Sequence, residues 1–73
     1  MYRRLKDLRE DNDKTQLQIA TVLNITRQQY GLYENGTREI PTEKVIKLAF
    51  FYKTSTDYIL GLTNEIKPYP KIK

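Results

Sequence analysis

The sequence predicts an all-α domain built from five short helices. Apolar residues recur three and four positions apart in successive segments, and no segment alternates apolar and polar residues as a half-buried strand does. Residues that favour helix ends punctuate these segments, because threonines precede them and asparagine or glycine follows them. The 73 residues are enough for one domain.

The first helix is expected over residues 2–12, with Leu5, Leu8 and Arg9 on its inner face. Glu34, in the third helical segment, also lies on an inner face. Charged side chains in such positions are usually paired. We therefore expect an ion pair between Arg9 and Glu34, with a structural and not a catalytic role.

The second and third helices have clear start and stop signals. Thr15 caps a helix over 16–23, and Thr26 caps one that ends at 35–36. Each threonine is followed three positions later by a glutamine, which completes a capping box. Asn24 can close the second helix because asparagine tolerates a left-handed backbone.

The remaining chain predicts two further helices and a tail. Thr42 caps a fourth helix that runs to about residue 52, and a fifth covers about 56–60. The last ten residues, 64–73, contain two prolines and three lysines and cannot be helical around the prolines. We expect a helical domain over 1–63 and an extended or disordered basic tail over 64–73.

The composition excludes several kinds of site. The chain has no Cys and no His, so it lacks ligands for a zinc site and partners for most nucleophile–base pairs. The carboxylates near the end of the first helix are more simply a solvated face than an acid–base pair. No apolar run approaches the ~20 residues of a membrane span. We expect a cytoplasmic protein that is not an enzyme and uses no metal or cofactor.

The charge balance is 13 basic against 9 acidic residues, a net charge of +4. An excess of this size favours a polyanionic partner. A soluble domain rich in lysine explains the same excess.

Segments 16–23 and 26–35 carry the most information. Two helices joined by a turn as short as the one around Asn24 must cross steeply, and they bury a shared apolar set: Ile19, Ala20, Leu23, Ile25, Tyr30 and Tyr33. The second of these helices then exposes Arg27, Gln28, Gly31 and Leu32. This is the geometry of a helix-turn-helix, whose second helix enters the DNA major groove.

The exposed residues suit base contacts. Arg27 can pair with guanine O6 and N7, Gln28 with adenine N6 and N7, and Leu32 with a thymine methyl group. Gly31 costs a helix ~1 kcal/mol relative to alanine, and its missing side chain allows close approach to another surface. The alternative is a polar surface helix with one stray leucine and one stray glycine.

Further residues could contact phosphates. Thr15 and Gln16 begin the second helix, where free N–H groups favour an anion. Asn35, Thr37 and Arg38 follow the third helix and could contact the opposite strand. The capping residue Thr26 belongs to the same set. Helix capping and turn formation explain these residues equally well, and the two roles are compatible.

The fourth helix is apolar nearly all round, which is typical of a central helix or of one that a partner covers. A second copy of the chain is the expected partner, and the candidate interface residues are Ile46, Phe50, Ile59, Leu60 and Leu62. The alternative is that the tail folds back over them.

The stretch from Leu5 to Thr63 resembles the Cro/repressor, or Xre, family of helix-turn-helix proteins. The segment LREDNDKTQLQIATVLNITRQQYGLYENGTREIP is similar to the core of that family, and LAFFYKTSTDYILGLT is similar to the closing helices of small Gram-positive and phage members. The resemblance implies a compact five-helix bundle of the lambda-repressor-like type. It also implies a dimeric transcriptional regulator that binds inverted-repeat operators.

The resemblance carries roles to individual positions. The positions that match base-reading residues are Arg27, Gln28 and Leu32, and those that match flanking residues are Gln29 and Gly31. Gln16 and Asn35 match backbone-contacting positions, and Arg9 with Glu34 matches an ion pair. Two departures stand out: Asn24 replaces the usual glycine of the turn, and Leu32 stands where many members have a polar residue.

We therefore expect a small sequence-specific regulator, a repressor that binds as a dimer with its third helix in the major groove. Its two half-sites would lie ~34 Å apart, one turn of DNA. The alternative is a protein-interaction module such as an antitoxin or an antirepressor. The lysine-rich tail and the apolar stripe at Ile46 and Phe50 favour that alternative.

Overall fold

The computed structural model describes residues 2–68 and confirms the all-α architecture. That range contains no strand and five helices: α1 (Arg3–Asp11), α2 (Gln16–Val22), α3 (Arg27–Glu34), α4 (Thr42–Tyr52) and α5 (Thr56–Leu60). α1 is one residue shorter at each end than expected, and α2 ends one residue earlier. Differences of this size are ordinary at helix ends.

The capping boxes of α2 and α3 are both present. The hydroxyls of Thr15 and Thr26 accept hydrogen bonds from the amides of Gln18 and Gln29, each at 3.1 Å. The two glutamine side chains return the bond, accepting from the threonine amides at 2.8 and 3.1 Å. Each helix of the predicted pair therefore begins at a residue that its own sequence specifies.

The start of α4 is different from the prediction. Thr42 does not cap the helix: it is the first helical residue, and Pro41 is the N-cap, with no side-chain hydrogen bond. The Pro41 carbonyl accepts from the amides of Lys44 and Val45 at 3.0 and 3.1 Å. Pro41 holds an extended backbone, with φ −62° and ψ 148°, so the turn begins one residue before the threonine rule places it.

The turn between α2 and α3 closes at Asn24, as predicted, in a left-handed conformation with φ 57°. The amide of Asn24 donates to the carbonyl of Thr21 at 3.1 Å, and that of Ile25 donates to the carbonyl of Ala20 at 3.0 Å. This pair of bonds is a Schellman motif, which ends a helix abruptly. α3 therefore begins close to the end of α2.

The core lies among all five helices. α2 packs mainly against α3 and α4 against α5, while α1 contacts both α3 and α5. The buried apolar side chains in the described part of the chain are Leu5, Leu8, Ile19, Ala20, Leu23, Tyr30, Tyr33, Ile40, Val45, Leu48, Ala49 and Ile59.

The prediction is wrong for one residue of the expected dimer interface, Ile59. Ile59 is 1% exposed and belongs to the core, so it cannot contribute to a surface contact. Three others are exposed: Ile46 by 43%, Phe50 by 69% and Leu62 by 73%. Leu60 is half-buried against the core. α5 has only five residues, too few for the sequence pattern to reveal which way the helix faces.

The first helix is tied to the C-terminal segment by Arg4. Its guanidinium donates to the carbonyl of Tyr58 at 2.9 Å, to the carbonyl of Thr63, and to Asn64 Oδ1 at 2.7 Å. It also lies 4.0 Å from the centre of the Tyr58 ring, a cation–π contact. No local pattern indicates these contacts, because α1 and the segment after α5 are far apart in the sequence.

The expected tail, residues 64–73, lies only partly within the residues that the structure describes. Residues 64–68 form neither helix nor strand, and the carbonyl of Ile66 accepts a hydrogen bond from the Thr54 hydroxyl. Residues 69–73 lie outside the described residues. Across 2–68, none of the helices has the length and apolar character needed to cross a bilayer.

Lys53 tests how much a left-handed backbone lowers the free energy of unfolding. It ends α4 in a left-handed conformation, φ 56°, which costs a residue with a Cβ about 1–2 kcal/mol. We expect Lys53→Gly to raise the free energy of unfolding by about 1 kcal/mol in urea denaturation. Lys47→Gly is the matched control: it lies inside the same helix and should lower that free energy by about 1 kcal/mol. Equal losses in both variants would contradict the argument.

Candidate nucleic-acid interface

The third helix has one buried and one outer face. Tyr30 and Tyr33 lie in the core, with relative exposures of 0% and 9%. The outer face carries the four residues expected there. Arg27 and Gln28 are exposed, and Gly31 and Leu32 are half-buried. The structure thus brings the expected base-contacting residues together on one side of α3. Their contact with bases stays a prediction.

Gly31 is not required by the packing of the protein. A Cβ built on it would meet Gln16 Oε1 at 3.7 Å, which is an ordinary van der Waals contact. Gly31 lies within α3, where alanine is the more favourable residue. The free domain therefore has room for a side chain at a position where the sequence has none.

The expected phosphate contacts at the helix starts have structural roles. The hydroxyls of Thr15 and Thr26 accept amide hydrogen bonds within their capping boxes, and the Gln29 side-chain oxygen accepts from the Thr26 amide. All three residues are nonetheless exposed. Capping therefore fixes their orientation and leaves contact with a phosphate as a prediction.

The loop after α3 is also held by local bonds. Asn35 Oδ1 accepts from the amide of Thr37 at 2.9 Å, and the amide of Arg38 donates to the carbonyl of Leu32 at 3.1 Å. Asn35, Thr37 and Arg38 are exposed and adjoin the C-terminal end of α3. Their contact with a DNA backbone stays a prediction.

Arg9 and Glu34 form a two-bonded ion pair. Arg9 Nε donates to Glu34 Oε2 at 2.9 Å, and Arg9 Nη2 donates to Glu34 Oε1 at 2.8 Å. Their side chains are only 14% and 5% exposed. Arg9 Nη1 also donates to the carbonyl of Lys14 at 3.0 Å, just before α2. This one guanidinium therefore connects α1, α3 and the loop that leads into α2.

The ion pair changes the titration of its members. Burial raises the pKa of Glu34, but the hydrogen bonds from Arg9 and Gln16 are among the contacts that outweigh burial. The net pKa therefore lies below its ordinary 4.5. The bond to Glu34 raises the pKa of Arg9. Burial and the nearby Glu34 carboxylate raise the pKa of Tyr30. At neutral pH the charged pair is therefore fully formed beside a neutral phenol.

Gln16 has contacts that the sequence pattern does not indicate. Its Nε2 donates to Glu34 Oε1 at 3.4 Å, and its Oε1 accepts from Arg27 Nη1 at 3.4 Å. Gln16 is half-buried and is the first residue of α2, so these two bonds join the start of α2 to both ends of α3. The resemblance implies only a contact with the DNA backbone for Gln16. The link to Arg27 depends on how α2 and α3 approach one another, which the sequence pattern does not give.

The arrangement matches a known family. The helix-turn-helix family model matches residues 5–59, which is most of the chain. The chain belongs to the Xre-type helix-turn-helix family. Curated relatives of this helix-turn-helix protein are named HTH-type transcriptional regulators.

Relatives of this helix-turn-helix protein include three bacterial proteins. It is 40% identical over 74 aligned positions to the uncharacterized HTH-type transcriptional regulator YobD of Bacillus subtilis. It is 39% identical over 59 positions to the HTH-type transcriptional regulator ImmR of the same organism. It is 33% identical over 64 positions to the antitoxin PezA of Streptococcus pneumoniae.

These relatives are longer than the chain. The alignments cover 100%, 81% and 88% of this helix-turn-helix protein, but 64% of YobD, 46% of ImmR and 40% of PezA. The shared part is therefore the helix-turn-helix domain. No solved structure matches the chain.

The lowered pKa of Glu34 predicts that the domain loses stability in acid. As the pH falls below about 4.5, the Glu34 carboxylate takes up a proton in the unfolded chain before it does so in the folded protein. The contribution of the ionised Glu34 to the free energy of unfolding is therefore lost as the pH falls. We expect the free energy of unfolding in urea to decrease from about pH 5 to pH 3.

Glu34→Gln tests the assignment of that loss. It leaves the Arg9 charge buried without its partner, so we expect a loss of about 3 kcal/mol at pH 7 and a weaker pH dependence below pH 5. Glu39→Gln, at an exposed loop carboxylate, is the control and should keep the acid loss. An unchanged acid profile in Glu34→Gln would show that other carboxylates cause it.

Proposed function

We propose that the chain binds double-stranded DNA in a sequence-specific manner, as a dimer on an inverted repeat, and represses transcription there. α3 would lie in the major groove, with its outer face against the base edges. The half-sites would then be ~34 Å apart, so that the two recognition helices enter successive major grooves.

The observation that carries this proposal is the composition of the outer face of α3. Arg27 and Gln28 are exposed one turn before Gly31, whose missing side chain the fold does not need. Glycine at this outer position costs α3 ~1 kcal/mol relative to alanine, with no packing reason in the free domain. We infer that close approach of the helix backbone to a DNA groove offsets that cost.

The proposed contacts divide into two kinds. Base contacts come from Arg27 to a guanine, Gln28 to an adenine and Leu32 to a thymine methyl, each pairing contributing ~1–3 kcal/mol of discrimination. Phosphate and flanking contacts surround them and fix the register on the duplex. The residues proposed for these are Thr15, Gln16, Thr26, Gln29, Gly31, Asn35, Thr37 and Arg38.

The proposed dimer contact is the apolar surface of α4 and the segment after α5. Ile46, Phe50 and Leu62 are large apolar side chains with substantial exposure, and Leu60 adjoins them. They belong to different elements from the residues on the outer face of α3. A second copy could therefore bind there while α3 remains available to DNA.

A second candidate function is binding to a protein partner, as an antitoxin or an antirepressor does. The similarity to the antitoxin PezA favours it. A groove lined by Ile46, Ala49, Phe50 and Pro68 offers an apolar surface for such a partner. The groove leaves the outer face of α3 free, but it shares Ile46 and Phe50 with the proposed dimer contact, so such a partner would compete with the second copy.

Selection of bound sequences from a random duplex library at ~0.15 M salt tests the proposed function, because that salt suppresses contact with phosphates alone. We expect a two-fold symmetric consensus. Gln28→Ala should weaken binding to it by ~1–3 kcal/mol and relax one base pair in each half-site. Binding without any enriched sequence would contradict base reading, and an asymmetric consensus would contradict the dimer.

Gly31→Ala separates the needs of the fold from those of DNA binding. The added methyl has room in the free domain, so we expect the free energy of unfolding to rise by up to about 1 kcal/mol. Affinity for the selected operator should fall, because the methyl group stands between the helix backbone and the groove. An alanine variant that is both more stable and equally tight would remove the argument for close approach.

A further inference from the structure

A groove with an apolar wall lies beside α4. Ile46, Ala49 and Phe50 are spaced three and four residues apart, so they share one face of the helix and form that wall. Residues 53–56, at the turn into α5, and Pro68 complete the lining. The volume is about 650 Å³, which is enough for several side chains. We call this surface the α4 groove.

The chain approaches the α4 groove along a fixed course through residues 62–68. Arg4 donates a hydrogen bond to the carbonyl of Thr63. Local bonds hold the residues that follow, because the Glu65 amide donates to the Thr63 hydroxyl at 3.2 Å and the Lys67 amide donates to Glu65 Oε1 at 3.1 Å. The segment after α5 is therefore attached to α1 and held by its own side chains.

Thr54 connects this segment to the groove itself. The Thr54 hydroxyl donates to the carbonyl of Ile66, and Thr54 is a lining residue that is only 5% exposed. Two residues later, Pro68 lines the groove as well. The residue that follows Pro68 in the sequence therefore starts at the edge of the α4 groove.

The next five residues have the composition and the reach to fill the groove. Tyr69, Pro70 and Ile72 offer apolar surface, whereas Lys71 and Lys73 can keep their ammonium groups in water. Five extended residues span ~17 Å. The wall that α4 contributes covers two turns of helix, which is ~11 Å. Residues 69–73 are thus long enough to extend along the whole wall.

Covalent attachment favours these residues over a separate molecule. A short tether gives an attached group an effective concentration in the millimolar range. A second copy at micromolar concentration would have to bind about a thousandfold more tightly to occupy the groove equally often. Weak apolar contacts are therefore enough for the attached segment.

We propose that residues 69–73 occupy the α4 groove of their own chain and cover Ile46 and Phe50. The same two side chains belong to the proposed dimer contact, so the segment and a second copy exclude one another. This exclusion rests on the proposed function, whereas the docking of the segment does not. The apparent affinity between two copies is then reduced by the fraction of chains whose groove is free.

Thiol labelling tests the docking, because the chain has no cysteine of its own. Thr56→Cys places a thiol in the α4 groove and leaves the apolar residues of the groove unchanged. Its rate of reaction with a maleimide is measured with residues 69–73 unaltered and in a chain that also carries Tyr69→Ser and Ile72→Ser, which preserve the charge. We expect the serine substitutions to raise the rate about threefold or more, independently of protein concentration.

Thr21→Cys is the matched control, since Thr21 is exposed on α2 and does not line the groove. Its rate should be the same with either form of residues 69–73. Equal rates for Thr56→Cys with both forms would overturn the docking, and so would protection that grows with protein concentration, because a second copy would then fill the groove. Ile46→Cys repeats the measurement from the α4 wall, and thermal unfolding shows that each variant is folded.

Sedimentation equilibrium tests the consequence for the dimer. Tyr69→Ser with Ile72→Ser should lower the dimer dissociation constant about threefold or more, because the groove is then free. A weaker dimer would show that the segment is part of the contact between copies and would overturn the exclusion. Protection of Thr56→Cys in a chain that stays monomeric at every concentration would support the docking and overturn the proposed dimer contact.

Discussion

The ion pair between Arg9 and Glu34 is the contact on which the rest of the structure depends. Its two charges are 25 residues apart in the sequence and nearly buried. Leaving either charge unpaired in the interior would be costly, so the pair constrains where α1 stands relative to α3. Through Lys14 and Gln16 the same pair reaches the start of α2. A single, nearly buried contact therefore ties together α1, α3 and the start of α2.

Within that frame, the geometry of α2 and α3 is set by short-range chemistry. Capping boxes at Thr15 and Thr26 fix where the two helices begin, and the left-handed Asn24 fixes how the first one ends. These signals act within a few residues and fix where α3 begins. Helical spacing from that start then determines which of its residues share the buried face and which share the outer face. Gly31 is the exception to good helix design, and it lies on the outer face.

The opposite end of the domain is organised by a second arginine. Arg4 binds the carbonyls of Tyr58 and Thr63, so α1 also holds the segment that follows α5. The exposed apolar residues Ile46 and Phe50 lie on α4, a different element from the outer face of α3. The proposed DNA contact and the proposed contact with another protein chain therefore use separate helices.

The sequence by itself determined the five helices, their boundaries to within a residue or two, and the outer face of α3, because capping and periodicity are local properties. It also predicted the contact of Arg9 with Glu34, since two charges on inner faces need partners. Only the tertiary structure decided that Ile59 is buried and that Gln16 and Arg4 join distant elements. These depend on how helices rotate and approach one another, which no short pattern encodes.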